Sequence, residues 1–338
     1  MRSGPKILIT RLKSIGDVLF TLPAVNCVRR NFPAARISFL VNKSCAPLLA
    51  GFPAVDQVLV LDRDIYRQSS PFRVVSATWE LLRGLRSEKF THAIDLHGFG
   101  ETGLLTRWTG APERWGIVYK PGRGFAYTKT VARRDDLHPI DGNLEVLKQA
   151  GLELAGVENQ FILPEATLQE AEHLLKTLGF HPGQKFLFLQ PFTSNMRKDW
   201  PLENFLRLAE HLKARGIRVL FGGGPSDRER LEPVLRQGYP ASAGASLMVS
   251  AALAGQSTLA IGGDTGLLHL VVALQKPVLM LLNSPAIRTI PYGHREWTLA
   301  PKPGEALASL PWELVAEKTD QMLFDNAQTG QVVKLGLS

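Results

Sequence analysis

Short apolar runs alternate with longer amphipathic segments along the whole chain. Strands are predicted at residues 6–10, 36–41, 57–61, 91–96, 186–190, 218–222, 259–263 and 277–282. Helical periodicity is found at residues 18–31, 72–87, 202–214, 226–236 and 265–274. Because the strands are almost continuously apolar, they are typical of parallel sheets that helices cover on both faces.

The alternation runs through two halves of the chain, which predicts two doubly wound α/β domains. We place the first at residues 1–158 and the second at 159–325, a division that a length of 338 residues also favours. A final helix is expected over 311–324. It is counted with the second domain, and packing back on the first domain is a further expectation.

Positive charge is concentrated in the first half. Residues 1–150 contain 22 Lys/Arg and 13 Asp/Glu, whereas residues 151–338 contain 17 and 18. Seven Lys/Arg lie in residues 107–134, Arg123 among them, and residues 62–73 add Arg63, Arg67 and Arg73. The excess indicates an anionic partner, for which nucleic acid, a phospholipid surface and an acidic small molecule or glycolipid all remain open. An ordinary solvated surface explains the charged run in residues 107–134 equally well.

Cellular location is indicated by what the sequence lacks. Cys27 and Cys45 are the only cysteines, too few for a disulfide framework or a zinc site. The first residues lack the apolar core of a secretory signal, and the most apolar window is broken at Gln275 to Pro277. We therefore expect a cytoplasmic protein, with peripheral contact with the inner membrane surface left open.

Polar residues follow four of the predicted strands, where open parallel sheets bind their ligands. Asp17, in RLKSIGDVLF, is either a helix cap or a general base. The hydroxyls of Thr193 and Ser194 and the cation of Lys198 suit a phosphate group, although an ordinary charged loop has the same composition. Asp227 follows three glycines in FGGGPSDRE and either binds a ribose or caps a helix.

The fourth of these segments is GGDTGLLHL, residues 262–270. Asp264, Thr265 and Gly266 fall at a predicted helix N-terminus, whose amides and dipole favour an anion. His269 follows one turn later and either faces the same site or is a buried core residue.

Together the four segments resemble the family 9 glycosyltransferases, whose best known members are bacterial lipopolysaccharide heptosyltransferases. The resemblance covers nearly the whole chain, and the segments occur in the family's order. It implies a GT-B fold, in which two Rossmann-like domains face a central cleft. The first domain would bind mainly the acceptor and the second the nucleotide-sugar.

The resemblance also implies a role for each candidate residue. Asp17 matches the catalytic base of an inverting, metal-independent transfer that uses no organic cofactor. The donor site matches Thr193, Ser194, Lys198, Asp227, Asp264, Thr265, Gly266 and His269. The family's acceptor site varies; by charge alone we assign Arg63, Arg67 and Arg123 to an acidic acceptor.

The expected reaction is transfer of heptose from ADP-heptose, or a related nucleotide-sugar, to an acidic lipopolysaccharide inner-core acceptor. A second hypothesis is a non-catalytic protein of the same fold that binds a nucleotide-sugar or a polyanion. Other transferase donors remain open, whereas an epimerase would need more carboxylates than the four loops supply. The family pattern does not predict nucleic acid as a partner.

Overall fold

The computed structural model describes residues 4–65, 70–156 and 158–328. The chain divides into two compact units, Met1–Pro164 and Glu165–Ser338. The sequence placed the division a few residues earlier, between 158 and 159.

The first unit is built on a six-stranded parallel sheet of order β3-β2-β1-β4-β5-β6. Its strands are β1 (Lys6–Thr10), β2 (Arg36–Asn42), β3 (Gln57–Leu61), β4 (His92–Asp95), β5 (Glu113–Val118) and β6 (Lys129–Ala132). Its helices are α1 (Ile15–Leu19), α2 (Leu22–Asn31), α3 (Pro71–Ser87), α4 (Gly100–Trp108) and α5 (Pro139–Gln149).

The second unit repeats this topology, with strand order β12-β11-β10-β7-β8-β9. Its strands are β7 (Phe186–Gln190), β8 (Arg218–Gly223), β9 (Ala241–Ala243), β10 (Leu259–Gly263), β11 (Val278–Leu281) and β12 (Thr298–Leu299). Its helices are α6 (Glu165–Thr177), α7 (Leu202–Ala214), α8 (Glu232–Arg236), α9 (Leu247–Gln256), α10 (Gly266–Ala273) and α11 (Trp312–Gln328).

Both sheets have the strand order of Rossmann folds, so the predicted class of two doubly wound α/β domains is confirmed. In each sheet the strand order changes direction between two neighbouring strands, β1 and β4 in the first unit and β7 and β10 in the second. Ligands of such sheets bind where the strand order reverses, beyond the carboxyl ends of these strands. Three of the four candidate segments begin at those ends.

Continuously apolar strands supply the cores because helices cover both sheet faces. Leu8, Leu40 and Phe90 belong to the core of the first unit, and Trp200 and Phe205 to that of the second. The indole N–H of Trp200 is satisfied by the carbonyl of Leu310, 2.9 Å away. This bond connects the residues just before α11 to the loop after β7.

The last helix, predicted over 311–324, is α11, and it packs against α7 within its own unit. Asp320 on α11 accepts from Arg215 at 2.8 Å and lies 3.1 Å from Nε2 of His211. Val315 and Ala316 enter the core of the second unit.

Two predicted helices differ from those observed. The helix expected over 18–31 is divided into α1 and α2, because the chain turns at Thr21, whose hydroxyl donates to the carbonyl of Val18 at 2.7 Å. The helix expected over 226–236 is replaced by two short 3-10 turns, Pro225–Asp227 and Glu229–Leu231, and by α8. Pro233, in the first turn of α8, has no N–H for an earlier helical hydrogen bond.

Candidate functional site

Lys198, Asp264 and His269 meet at the end of β10 in the second unit. Nζ of Lys198 lies 2.6 Å from Oδ2 of Asp264, and Nε2 of His269 lies 3.4 Å from Oδ1. Burial disfavours ionisation of Asp264, but His269 and Lys198 more than offset it, so the pKa of this carboxyl lies below its ordinary value. The site therefore holds an ionised carboxylate and a half-exposed lysine that is paired with it.

Helix α10 begins directly after this carboxylate. Thr265 is its N-cap, because its hydroxyl accepts a hydrogen bond from the amide of Leu268 at 3.3 Å. Gly266 is the first residue of the helix, and His269 is buried on its first turns. The positive end of the helix dipole thus lies beside Asp264 and Lys198, an arrangement that favours binding of an anion.

Gly263 allows the loop after β7 to reach this helix. A Cβ at Gly263 would lie 2.8 Å from Cγ2 of Thr193 and 2.9 Å from the carbonyl oxygen of Lys198. The hydroxyl of Thr193 in turn donates to the carbonyl of Asn195 at 2.8 Å. Glycine at this position brings Thr193 and Lys198 against the end of β10.

The alanine variant of Gly263 is expected to lower the free energy of unfolding by about 1–3 kcal/mol, because the added methyl must displace the loop that bears Lys198. Chemical denaturation measures the change. The control is Gly84→Ala within α3, where an added Cβ meets nothing within 4 Å. The free energy of unfolding of Gly84→Ala should instead rise by about 0.5–1 kcal/mol, because alanine has the higher helix propensity. A Gly263→Ala protein as stable as the parent contradicts the close approach.

A second network connects the loops that follow β7 and β8. Asp199 accepts from the amide of Thr193 at 2.8 Å and from Nη2 of Arg230 at 2.7 Å. Arg230 also contacts Asp227 at 3.4 Å and lies over the ring of Phe192. The other carboxylate oxygen of Asp227 accepts from the amide of Gly224 at 3.0 Å. Asp227 is therefore held in its loop, and Asp199 and Arg230 align the segment that contains Thr193.

Sequence reasoning missed Asp199 and Arg230. The only available signal was proximity to identified residues, since Asp199 follows Lys198 directly and Arg230 follows Asp227 by three residues. Ser194, by contrast, is exposed, next to Thr193 in the same loop.

In the first unit, Asp17 follows β1 and occupies the third position of α1. Its Oδ2 accepts hydrogen bonds from the amide and the hydroxyl of Ser14, both at 3.1 Å, and its Oδ1 pairs with Nη2 of Arg11 at 2.7 Å. Ser14 is the N-cap, so the cap alternative for Asp17 is corrected to the reciprocal partner in a capping box. About a third of the Asp17 side chain remains exposed, which leaves room for a substrate hydroxyl.

Arg11 and His97 are buried beside Asp17 and were not identified from the sequence. Arg11 also donates to the carbonyl of Leu96, at the end of β4. His97 is 2% exposed, and its Nδ1 has no hydrogen-bond partner among the described residues. Burial and the charge of Arg11 lower the pKa of His97 to about 3, so its ring is neutral at physiological pH. A neutral imidazole thus lies at the same sheet edge as the Asp17 carboxylate.

The loop that presents His97 is fixed by Asp95. One of its carboxylate oxygens accepts from the amides of His97 and Gly98, at 2.8 and 3.0 Å. The other accepts from the hydroxyl of Tyr127 at 2.7 Å. Asp95 is fully buried, and burial raises the pKa of its carboxyl despite these bonds. The sequence signal for this loop was the pair of polar residues at the end of β4, Asp95 and His97.

The predicted basic surface over 107–134 contains β5 and the edge strand β6, and several of its cations form hydrogen bonds that stabilise the fold. Arg114 donates to the carbonyls of Ala126 and Ala111, at 2.9 and 2.6 Å. Lys129 donates to the carbonyl of Ala150, and Arg133 pairs with Asp135. This part of the positive charge stabilises the sheet edge.

The three arginines assigned to the acceptor are described to different extents. Arg63 pairs with Glu101 at 3.1 Å and is about one third exposed. Arg67 lies outside the described residues, and for Arg123 only the backbone, in the 3-10 helix Pro121–Ala126, is described. Their role in binding an acceptor stays a prediction.

Two features are absent from the described residues, a membrane-spanning helix and a cluster of metal ligands. None of the helices in the described ranges combines the length and apolarity needed to cross a bilayer. Across the same ranges, no three or more His, Cys, Asp or Glu side chains are grouped as metal ligands.

Comparison with known proteins connects this geometry to one family. The model of glycosyltransferase family 9 (heptosyltransferase) matches residues 78–304. Lipopolysaccharide heptosyltransferase 1 of Escherichia coli strain K12 is 24% identical over 330 residues, which cover 94% of this chain and 100% of that protein.

Solved structures show the same fold. The glycosyl transferase family 9 protein of Veillonella parvula DSM 2008 matches with a TM-score of 0.82 at 22% identity, over 95% of this chain and 98% of that one. The E. coli heptosyltransferase WaaC, solved with ADP-2-deoxy-2-fluoro heptose, matches with a TM-score of 0.75 at 22% identity, over 94% and 99%.

Proposed function

The chain belongs to glycosyltransferase family 9 (heptosyltransferase), and from this premise we propose that it transfers heptose from ADP-heptose to an acidic lipopolysaccharide inner-core acceptor. The observation that best supports an anionic donor is the contact of Lys198 with Asp264 at the N-terminus of α10. The names of the relatives support the sugar, because they are lipopolysaccharide heptosyltransferases.

Asp17 is the proposed general base. It removes the proton from the acceptor hydroxyl as that oxygen attacks the anomeric carbon of the donor sugar. A new carbon–oxygen bond forms on one face while the bond to the diphosphate oxygen breaks on the other, and ADP leaves with the electron pair. The displacement is direct and inverts the anomeric centre. Arg11 and Ser14 hold the carboxylate in place for this step.

Stabilisation of the departing diphosphate is assigned to the second unit. Lys198 supplies a cation, Thr193 and Ser194 supply hydroxyls, and Thr265 and Gly266 begin the helix whose amides favour negative charge. No metal ion is needed in this scheme. The Asp264 carboxylate, kept ionised by Lys198 and His269, is then proposed to accept hydrogen bonds from the sugar hydroxyls.

Asp227 is proposed to bind the ribose of the nucleotide. Its two carboxylate oxygens already accept from Gly224 and Arg230. A carboxylate offers about four lone-pair sites, so a ribose hydroxyl can still donate to it.

The acceptor is proposed to bind to the first unit. Arg63, Arg67 and Arg123 would pair with its phosphates and carboxylates, because guanidinium groups bind both in bidentate fashion. An inner-core acceptor is part of a membrane glycolipid, so we also propose peripheral contact with the cytoplasmic face of the inner membrane.

The decisive experiment combines donor binding with transfer. ADP-heptose is expected to raise the melting temperature by several degrees at about 100 times its Kd, while UDP- and GDP-sugars raise it less. The protein should then release ADP and add one heptose, detected by mass spectrometry, to a core acceptor that lacks heptose.

Two results would contradict the proposal. Donor binding without transfer favours the alternative of a non-catalytic binding protein. Transfer from a UDP- or GDP-sugar, with no response to ADP-heptose, makes the protein a family member with another donor.

A further inference from the structure

Helices α3 and α4 of the first unit expose five large apolar side chains. Their exposed fractions are unusually high for such residues: Phe72 82%, Val75 67%, Trp79 59%, Leu104 59% and Trp108 43%. We refer to these five residues as the α3–α4 patch. Single exposed apolar residues are common on soluble proteins, whereas groups of them mark interaction surfaces.

The spacing on α3 explains why these residues share one side of the helix. Phe72, Val75 and Trp79 follow one another at intervals of three and four residues, so they form one stripe. The side chain of Leu85 is buried, as the inward face of the same helix requires. Helix α3 therefore has two apolar faces, of which only one is covered by the core.

Contacts between the helices join the two parts of the patch. The indole N–H of Trp108 donates to the carbonyl of Leu82 on α3 at 2.8 Å, and Arg86 donates to the carbonyl of Trp108 at 3.1 Å. Leu104 lies one turn before Trp108 on α4. Trp108 therefore lies against α3 about one turn after Trp79.

Arginines border the patch. Arg73 and Arg83 are exposed on α3, and Arg107 is exposed on α4. They lie in the part of the chain that carries the positive excess, with 22 Lys/Arg and 13 Asp/Glu in residues 1–150. A helix surface of Trp, Phe and Arg is typical of proteins that lie in the interface of an anionic bilayer, where tryptophan is preferred.

We propose that the α3–α4 patch docks the protein on an anionic phospholipid bilayer, with Phe72, Val75 and Trp79 inserted among the headgroups. The inference rests on the proposed function in one respect, since a glycolipid acceptor brings the enzyme to a membrane. Binding of the protein to lipid is measured without donor or acceptor. A protein that does not bind lipid would therefore leave the transferase assignment standing.

The experiment is cosedimentation of the full-length protein with vesicles of phosphatidylcholine alone, or mixed in roughly equal parts with phosphatidylglycerol. The parent protein is expected to bind the mixed vesicles and to be released by high salt. Phe72→Ser with Trp79→Ser should weaken partitioning at least about tenfold, because each buried aromatic side chain contributes strongly to insertion. The double variant Arg73→Gln, Arg83→Gln should weaken partitioning to the mixed vesicles about fivefold for each arginine removed.

Matched controls come from the second unit. Phe324 is 66% exposed on α11, and Arg207 is exposed on α7. Phe324→Ser and Arg207→Gln should bind mixed vesicles as the parent does. Circular dichroism of each variant checks that it is folded.

Three outcomes overturn the proposal. The first is a parent protein that does not bind mixed vesicles. The second is binding that the Phe72 and Trp79 substitutions leave unchanged. The third is self-association, seen by sedimentation velocity and abolished by the same substitutions, because the patch would then be covered by a second copy of the chain.

Discussion

Asp17→Asn is expected to reduce kcat for sugar transfer by about 10²–10⁴-fold, the usual contribution of a positioned general base. Asparagine keeps the size of the side chain, and its carbonyl can still accept from the Ser14 amide, but it cannot take up a proton at neutral pH. Titration of ADP-heptose should be nearly unchanged, because the proposed donor site lies in the other unit. Steady-state kinetics with a soluble acceptor fragment, together with calorimetric titration of the donor, measures both quantities.

Asp56 supplies a matched control for the structural part of this effect. Like Asp17 it pairs with an arginine, at 2.6 Å from Arg29, and accepts from a backbone amide, that of Ile37 at 2.7 Å. Each asparagine variant should therefore lower the free energy of unfolding by about 1 kcal/mol, whereas only Asp17→Asn should lower turnover. Turnover within tenfold of the parent in the Asp17→Asn protein would rule out the base assignment.

The sequence predicted the candidate segments because they depend on local features. Continuous apolar strands identify parallel sheets, and polar residues after those strands identify the sheet edge where ligands bind. Asp17, Lys198 and Asp264 were found in this way, and the structure brings Lys198 and Asp264 to within 2.6 Å. The repeated strand–helix pattern predicts doubly wound parallel sheets, but no comparable rule gives the order of their strands, which only the structure shows.

What the sequence did not reveal depends on contacts between distant residues. Asp199 and Arg230 are 31 residues apart, and nothing in their local pattern indicates that they pair. Charge was similarly ambiguous, because an arginine that binds a ligand and one that satisfies backbone carbonyls have the same sequence signal. Arg114, which holds the β5–β6 edge, is an example of the second kind. Burial resolves the difference, and burial is a property of the folded chain.

Lys198→Met is expected to weaken ADP-heptose binding about tenfold and to lower kcat by a further ~10²–10³-fold. Negative charge on the diphosphate grows as the bond to the sugar breaks, so the cation stabilises the transition state more than the bound donor. The α10 N-terminus and the hydroxyls of Thr193 and Ser194 would remain to stabilise that charge, without a cation. Lys198→Arg retains the positive charge, so its donor affinity and kcat should fall less than those of Lys198→Met. Some loss is still expected, because a planar guanidinium fits a site built for an ammonium less well.

Loss of Lys198 also affects the fold through Asp264, and pH separates this effect from catalysis. The pKa of Asp264 lies below its ordinary value, so its pairing stabilises the folded state above the unfolded carboxyl pKa of about 4. That stability is lost as the pH falls through the folded pKa. Lys198→Met should therefore lower the free energy of unfolding at neutral pH, and this effect should shrink as the pH falls below about 4 and through the folded pKa, as measured by urea denaturation.

Lys43 provides the control, because its Nζ lies 2.8 Å from Asp62 in a comparable ion pair of the first unit. Lys43→Met should bind ADP-heptose and turn over as the parent does. If Lys198→Met loses stability at neutral pH yet keeps the parent's donor titration and kcat, Lys198 is only the structural counter-ion of Asp264. If both donor binding and kcat fall while the Lys198→Met protein stays folded, the lysine acts on the diphosphate directly. Lys198 then exchanges the Asp264 carboxylate for the donor diphosphate when the donor binds.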